Sequence, residues 1–216
     1  MRELRALLYC QELLSINHIE SHSLALLRLL HITINFDASG FDTKSQTYSR
    51  LGIYISSMPA LADLEIIDGS GVWSYWPDLL DNLNCPMLSA CCFGLGDKDY
   101  NRYAIIQLAS PALSNFILRH PQLRTLANDV PFAPLPTLSN PEAVPYLHTY
   151  RGCLTDVMSL LQQPQRTLKS VGIIHEDGTR QDQIMMLSNP QDVDLSSLSI
   201  NFRFPGVCAL EVCMPD

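Results

Sequence analysis

Two histidines have the spacing that helical zinc sites use. In "HIESH", His18 and His22 are four residues apart, so a helix would place both imidazoles on one face. Ile19 stands where the H-E-x-x-H motif has glutamate, and the sequence offers no evident third ligand. A solvated helix end explains this pair better than a metal centre, so we predict no bound metal and no cofactor.

Other stretches contain residue types that are common in catalytic sites, but each lacks part of the motif that it resembles. The segments "DGSG" and "GLGDKDY" combine glycine turns with acidic residues, but neither ends in the Lys-Ser/Thr pair of a phosphate-binding loop. The G-x-S-x-G motif of many hydrolases does not occur. Adjacent Cys91 and Cys92 have the residue type for redox chemistry, but Cys91 occupies an apolar position of the repeated pattern described below. We predict that the protein is not an enzyme and assign no catalytic residue.

Composition excludes several other classes of protein. The 216 residues are 47% hydrophobic and 17% charged, which argues against a disordered chain. The net charge is −8, and no run of Lys or Arg indicates nucleic-acid binding. No stretch of 18 uncharged apolar residues predicts a membrane span, and Glu3, Arg5 and Glu12 interrupt any signal peptide. Seven cysteines without a C-x-x-C motif indicate reduced thiols. We expect a soluble intracellular protein, cytoplasmic or nuclear, without nucleic-acid or membrane partners.

One pattern recurs along the chain. "MPALADLEI" begins at Met58 and "CPMLSACCF" at Cys85, and both contain Pro-x-apolar-x-x-apolar-x-apolar. Further copies begin at Pro121, Pro145, Arg166, Val193 and Pro205, and a fainter early copy has its apolar residues at Leu27, Leu30 and Ile32. The steps from Pro59 onward are 27, 35, 24, 21, 27 and 12 residues. Most of these steps suit a repeat made of one strand plus one helix or loop.

The pattern has the chemistry of a short strand. Leu64 and Ile66 alternate with Glu65, which predicts one buried and one wet face. The proline cannot donate a hydrogen bond to a neighbouring strand and is therefore expected just before the strand begins.

The intervals between the copies predict helices. "WPDLLDNLN" has Pro77 in its first turn, "SPALSNFILRH" offers Ser110 as cap and Pro111 as first helical residue, and "LTDVMSLLQQP" ends at Pro164. Because each strand–helix unit has an apolar face that it cannot bury alone, stacking of neighbouring units would cover it. We predict an α/β fold, an irregular solenoid with parallel strands on the concave side and helices on the convex side. A doubly wound α/β sheet is the alternative, but its central strands would be continuously apolar.

The two ends of the chain differ from the repeats. Residues 1–23 predict an amphipathic helix, acting as a cap or as a remnant of an upstream module, and residues 24–216 form the array. The last step of 12 residues is too short for a helical crossover. "SINFRFPGVCALEV" therefore predicts a hairpin that turns at Pro205 and Gly206 and either closes the array or marks where a longer one was cut.

The repeated pattern at irregular spacing resembles the leucine-rich-repeat region of fungal F-box-type proteins. The likeness covers roughly residues 24 to 213 and is strongest in "FILRHPQLRTLANDVPFAPLPTLSNPEAVPYLHTYRG". The features that carry it are an Arg-His-Pro helix end, a Leu-Pro-x-Leu segment and a Tyr-x-Gly strand: Arg119, His120, Pro121, Leu135, Pro136, Leu138, Tyr150 and Gly152. The resemblance implies a leucine-rich-repeat-like solenoid that binds protein, often as the substrate-recognition part of a cullin-type ubiquitin ligase.

Two features depart from that family. No F-box is visible before residue 24, so binding to the cullin-ligase adaptor would need an F-box upstream. Regular leucine-rich repeats also place asparagine three residues after the third apolar position, whereas this chain has Gly69, Gly96, Glu176 and Arg203 there. The turns must be satisfied in another way, and irregular curvature is expected.

Binding to a solenoid of this kind would use the strand positions that alternate with the core positions. We predict as the concave binding face Asp63, Glu65, Thr125, Thr149, Arg151 and Ser170, in register with Ala90, Cys92, Ala127, Gly172, Ser197 and Ser199. The predicted function is a non-catalytic protein–protein interaction module, with substrate recognition in an F-box-type ubiquitin ligase as its narrower form. Two alternatives stay open, a small α/β enzyme with an unrecognised site and a gene fragment without a function of its own.

Overall fold

The computed structural model of the protein describes residues 3–9, 25–35, 44–69, 75–95, 103–128, 134–163, 168–175, 197–202 and 210–212. The strands are β1 (Glu3–Tyr9), β2 (Leu29–Asn35), β3 (Asp63–Asp68), β4 (Ala90–Leu95), β5 (Thr125–Asn128), β6 (Thr149–Gly152), β7 (Ser170–His175), β8 (Ser197–Phe202) and β9 (Leu210–Val212). The helices are α1 (Lys44–Ser56), α2 (Trp76–Asp81), α3 (Tyr103–Arg119) and α4 (Leu154–Leu161), with a 3-10 helix at Pro136–Ser139. The predicted α/β class is confirmed.

The nine strands form one sheet in which the spatial order is the chain order. Strands β1 to β8 are parallel and β9 is antiparallel to β8. Within the described residues, the sheet is open because β1 and β9 each have a single neighbour. The order contains none of the reversal that defines a doubly wound sheet. Because parallel crossovers share one hand, connections in this order lie on the same face of the sheet. In agreement, α1 contacts α2, and α2 contacts α3.

The sequence repeat has a backbone counterpart at the start of the strands. The carbonyl of Arg28, just before β2, accepts hydrogen bonds from the amides of Ala62 and Asp63, both at 2.9 Å. The same two-amide arrangement recurs, at 2.7–3.0 Å, on the carbonyls of Ala62, Ser89, Arg124 and His148. The six strands β2 to β7 are therefore joined by five equivalent junctions.

The prolines of the pattern lie in tight turns. In the Pro-x-Leu segment that precedes each of β3, β4, β5 and β6, the carbonyl before proline accepts a hydrogen bond from the leucine amide, with proline at the second turn position that its fixed φ favours. The four bonds join Met58 to Leu61 at 3.1 Å, Cys85 to Leu88 at 3.0 Å, His120 to Leu123 at 3.1 Å and Val144 to Leu147 at 3.2 Å. All four leucines are fully buried, as predicted for the first apolar position.

The hydrophobic core lies between the sheet and the helices. Leu64 and Ile66 of β3 are fully buried, whereas Glu65 between them is half-buried, so the predicted alternation is confirmed. Phe93 of β4 packs edge-on against Trp76 of α2 and Phe116 of α3, with ring centroids 5.3 and 5.4 Å apart. These edge-to-face contacts join two helices to the sheet.

The amino-terminal prediction is wrong over residues 3–9. These residues form β1, paired in parallel with β2, rather than part of a helix over residues 1–23. Leu4, Ala6 and Leu8 alternate along "ELRALLY", and this two-residue period competes with the helical period in so short a segment. Pairing with β2 decides between them. Residues 10–23 lie outside the described part of the chain.

The start of α3 is also corrected. The helix begins at Tyr103, so Ser110 and Pro111 lie within it and do not form its first turn. Pro111 is exposed, and solvent can satisfy the carbonyl that its missing N–H leaves unpaired. The helices predicted around Pro77 and after Cys153 are confirmed as α2 and α4.

The carboxyl-terminal strands have the antiparallel pairing that a hairpin requires. Residues 203–209, including Pro205 and Gly206, lie outside the described residues. Because β9 is antiparallel, the copy of the pattern at Pro205 does not add another parallel unit. Of the helices that the structure describes, none is long and apolar enough to cross a membrane.

Candidate binding face

Two rows of side chains cross the sheet on the side opposite the helical core. The first row is Leu29, Asp63, Ala90, Thr125, Thr149 and Ser170, and the second is His31, Glu65, Cys92, Ala127, Arg151 and Gly172. We call these twelve positions the open face. The predicted register of the candidate residues is confirmed, and strand spacing makes each row about 24 Å long.

The open face differs from the covered face in burial. Asp63 is exposed, and Glu65, Thr125, Thr149 and Arg151 are half-buried. Ser170 is half-buried as well. Side chains at the intervening positions belong to the core, to which α1, α2, α3 and α4 all contribute. The structure thus places all six candidate residues on one surface.

An imidazole and a carboxylate lie in contact at the β2–β3 end of the open face. His31 and Glu65 are register partners, and Nδ1 of the imidazole lies 2.7 Å from Oε2 of the carboxylate. Their side chains are 29% and 35% exposed, so the pair remains in contact with solvent. Partial burial raises the pKa of the neighbouring Asp63 carboxyl.

An arginine crosses the middle of the open face. Arg151 of β6 donates from Nη2 to the Cys92 sulfur of β4 at 3.8 Å. The guanidinium therefore spans β5, where the same register position is Ala127, which is 8% exposed. A small residue on β5 leaves room for the long side chain to lie flat across the strand.

Hydroxyl groups and small residues make up the β5–β7 end. Thr125, Thr149 and Ser170 are register neighbours on three adjacent strands. The second row ends in Gly172, which has no side chain. Hydroxyls, a guanidinium and exposed carboxylates can form hydrogen bonds and ion pairs with a polypeptide.

Two buried carboxylates on the covered face have structural partners. Asp68, at the end of β3, accepts hydrogen bonds from Tyr48 Oη at 2.7 Å and from Trp76 Nε1 at 3.0 Å. The carboxylate of Asp68 therefore ties α1 and α2 to the sheet. Sequence reasoning missed this role, because a single Asp after a strand is also a common turn residue.

Asp156 of α4 makes an equivalent connection further along. Its carboxylate accepts from Tyr150 Oη and from the Leu135 amide, both at 2.7 Å. Burial raises the pKa of Asp156, while the Tyr150 hydrogen bond opposes that shift. Burial and the nearby Asp156 charge raise the pKa of Tyr150 well above its ordinary value. The Tyr150 of the family-like motif thus anchors β6 to α4.

His120 joins α3 to the turn before β4. Nδ1 lies 2.7 Å from the Phe116 carbonyl oxygen, and Nε2 accepts from the Cys85 amide at 3.0 Å. These partners assign the neutral tautomer with its proton on Nδ1. Burial lowers the pKa of His120. The sequence signal for this role is the position of His120 directly before the proline of its repeat. In two other repeats the residue at this position is a buried apolar one, Met58 or Val144.

The described residues provide no support for a metal site or for a reactive thiol at Cys91. Among the residues that the structure describes, no group of three His, Cys, Asp or Glu could hold a metal ion, and His18 and His22 lie outside them. Burial raises the pKa of Cys85 to about 12 and that of Cys91 well above its ordinary value. Both thiols are therefore protonated, and the apolar role predicted for Cys91 is confirmed.

No protein-family model matches the sequence, and a comparison with curated proteins finds no significant match. The resemblance to fungal F-box-type proteins therefore stays a prediction that rests on the repeated pattern and its register.

Proposed function

We propose that the protein is a non-catalytic protein-interaction module whose open face is the binding surface. A single observation carries the proposal. Apart from Leu29 of β2, the same two positions of six parallel strands present polar or small side chains, while the intervening positions are packed into the core. We propose further that the sheet curves into a leucine-rich-repeat-like solenoid with this face on its concave side.

Stacked units of this kind favour recognition of extended partners. A face about 24 Å across is wide enough for a polypeptide segment to contact several strands at once. The small residues Ala90 and Gly172 let a partner backbone approach the sheet. The hydroxyls of Thr125 and Thr149 supply hydrogen bonds whose orientation adapts to the partner.

The buried ionisable groups with shifted pKa values have structural roles. His120 and Asp156 direct their hydrogen bonds to backbone groups or to Tyr150, and Cys85 and Cys91 fill core positions. Catalytic acids and bases with perturbed pKa values would instead face a substrate site.

The narrower proposal is substrate recognition in an F-box-type ubiquitin ligase. It is supported by the resemblance of the repeated pattern alone. Its test is whether the adaptor of cullin ligases co-purifies with the gene product, and failure of that test would leave the broader binding proposal intact.

The binding proposal is tested with matched surface variants. Thr125→Glu combined with Thr149→Glu changes the open face, whereas Ile53→Glu combined with Leu118→Glu changes two helix residues that are 57% and 52% exposed. Partners that co-purify with the native chain would be produced as recombinant proteins and titrated against both variants by calorimetry. Circular dichroism would establish that each variant is folded.

The expected result is that the open-face variant loses binding and the helix variant retains it. Equal binding by both variants, or loss confined to the helix variant, would overturn the assignment of the open face.

A further inference from the structure

The last core position of the repeated pattern lacks an apolar side chain on two adjacent strands. Ile66, Phe93 and Ile173 fill this position in β3, β4 and β7, and all three are buried. The same position is Asn128 in β5 and Gly152 in β6. Because core positions are normally apolar, two consecutive departures mark a place where the core holds polar groups.

The register of the strands places the Asn128 amide on the covered side of the sheet. Asn128 is the register partner of the core residue Phe93 and is 3% exposed. On its other side lies Gly152, because the preceding residues Ala127 and Arg151 are register partners. Among the described residues, no group forms a hydrogen bond with Asn128 Oδ1. A buried amide oxygen of this kind is unfavourable unless a donor reaches it.

The Tyr150 hydroxyl lies on the same side of the neighbouring strand. A Cβ at Gly152 would overlap Tyr150 Oη, so this oxygen lies directly over Gly152. Tyr150 Oη and the Asn128 amide are therefore about one strand spacing apart, roughly 4.8 Å. Two oxygens that accept from the same water molecule lie about 4.5 Å apart, because each hydrogen bond is about 2.8 Å long and the angle between them is near tetrahedral. One water molecule can thus reach both groups.

The polar groups beside Tyr150 already have partners. The Asp156 carboxylate accepts from Tyr150 Oη and from the Leu135 amide, both at 2.7 Å, and forms a third hydrogen bond with the Cys153 thiol. Since Tyr150 Oη donates its proton to Asp156, its lone pairs can accept from another group. The arrangement therefore calls for a donor that lies between two acceptors, Asn128 Oδ1 and Tyr150 Oη.

We propose that a buried water molecule binds between Asn128 Oδ1 and Tyr150 Oη and donates a hydrogen bond to each. This inference concerns the core and does not rest on the proposed function. The water extends the polar network of Asp156 from β6 and α4 to β5. Buried waters commonly occupy such places, where they bond to polar groups that would otherwise be unsatisfied.

Water suits this place better than a cation. The three hydrogen bonds to Asp156 satisfy the carboxylate without a metal ion or an ammonium group. Water can also donate to the oxygen or accept from the nitrogen of the Asn128 amide, so its binding does not depend on how that amide is turned. A cation would require the oxygen.

The test combines a high-resolution crystal structure of the full chain with oxygen-17 magnetic relaxation dispersion in solution. The second method counts water molecules that stay bound for longer than the protein takes to tumble. Asn128→Leu replaces the amide by an apolar side chain of similar size, and Tyr150→Phe removes the second acceptor. Asn115→Leu makes the same change as Asn128→Leu at an exposed position of α3 and is the matched control. Circular dichroism would establish that each variant is folded.

The proposal expects electron density for a water within hydrogen-bond distance of both Asn128 Oδ1 and Tyr150 Oη. It also expects one long-lived water fewer in Asn128→Leu and in Tyr150→Phe than in the native chain, and no change in Asn115→Leu. If Asn128→Leu does not fold, the native crystal and Tyr150→Phe decide the question.

Three results would overturn the proposal. The first is a crystal in which no density lies between the two oxygens, or in which a protein group bonds to the Asn128 amide. The second is an equal number of long-lived waters in the native chain and in Asn128→Leu. The third is density that anomalous scattering identifies as a metal ion.

Discussion

The covered face and the open face alternate residue by residue along the same strands, and Cys91 and Cys92 are neighbours that lie on opposite sides. On the covered face Cys91 is 1% exposed and packs with Leu64 and Leu126 at the same register. On the open face Cys92 is half-buried and lies under the Arg151 guanidinium. One sheet thus presents a packed surface and a solvated surface.

The difference separates two kinds of constraint on the sequence. Volume and hydrogen bonding constrain the covered face, where Asp68 and Asp156 each accept two hydrogen bonds from neighbouring elements. Packing places much weaker demands on Thr125 and Thr149 of the open face. The residue types of the open face are therefore available for recognition, and this contrast can be tested by mutation.

The largest contrast is expected between adjacent residues of β5. Leu126→Ala removes a fully buried side chain and should lower the free energy of unfolding by about 2 to 5 kcal/mol. Thr125→Ala on the open face should change it by about 0.5 kcal/mol or less. Urea denaturation of both variants checks this prediction. Similar losses at the two positions would refute the assignment of the faces.

Removal of a buried carboxylate should have the next largest effect. Asp156→Ala leaves Tyr150 Oη and the Leu135 amide without their acceptor and should cost about 2 to 4 kcal/mol of unfolding free energy. Tyr150→Phe removes only the Tyr150 hydrogen bond and should cost less. Glu142→Ala, at an exposed acidic residue, is the control in the same denaturation series. An Asp156→Ala chain as stable as the control would show that the carboxylate does not anchor β6.

Replacement of Gly52 in α1 by alanine should destabilise the protein, although the same replacement stabilises an ordinary helix. A Cβ at this position would lie 2.5 Å from the Leu79 carbonyl oxygen and 2.9 Å from Asn82 Cβ. Alanine normally favours a helix by about 1 kcal/mol, but here α1 would have to move away from α2. Gly52→Ala should therefore destabilise the protein by about 1 to 3 kcal/mol. Thermal unfolding of Gly52→Ala would detect this loss, with Ile53→Ala as the control. A higher melting temperature for Gly52→Ala would contradict the close contact between α1 and α2.

His120 should make stability depend on pH. Because its pKa is lowered in the folded protein, the unfolded chain binds the proton more readily. The contribution of neutral His120 to the free energy of unfolding is therefore complete above the ordinary histidine pKa of about 6.5. It is lost as the pH falls through the pKa of His120 in the folded protein. We expect the unfolding free energy to decrease more steeply below about pH 6.5 in the native chain than in His120→Gln. Parallel slopes would contradict a buried neutral imidazole.

The smallest effect is expected at the His31–Glu65 contact of the open face. His31 and Glu65 are roughly one-third exposed, so solvent screens their attraction. Glu65→Gln should change the unfolding free energy by about 0.5 kcal/mol or less. A larger loss of unfolding free energy in urea denaturation would mean that this end of the open face contributes to the stability of the fold.

The repeated pattern was sufficient to predict the central strands and the face of each residue. Proline in a turn, a buried leucine and two alternating core positions determine the register of a unit, and each unit reinforces the next. The six candidate binding residues follow from that register, and the strand pairing places them on one surface.

Features that depend on long-range contacts could not be predicted in this way. The segment of β1 contains both helical and strand periodicity, and pairing with β2 selects the strand. Tyr48, Asp68 and Trp76 form a buried network whose members are separated in sequence.

The most direct test of the two faces is the labelling rate of adjacent cysteines in the native protein. The chain would be treated with iodoacetamide, quenched at intervals and mapped by mass spectrometry, with Cys85 as a buried reference. The account predicts that Cys92 is alkylated much faster than Cys91, and that Cys91 reacts only when the protein unfolds. Faster labelling of Cys91, or equal rates for both residues in the folded state, would contradict the assignment, since a one-residue shift exchanges the faces.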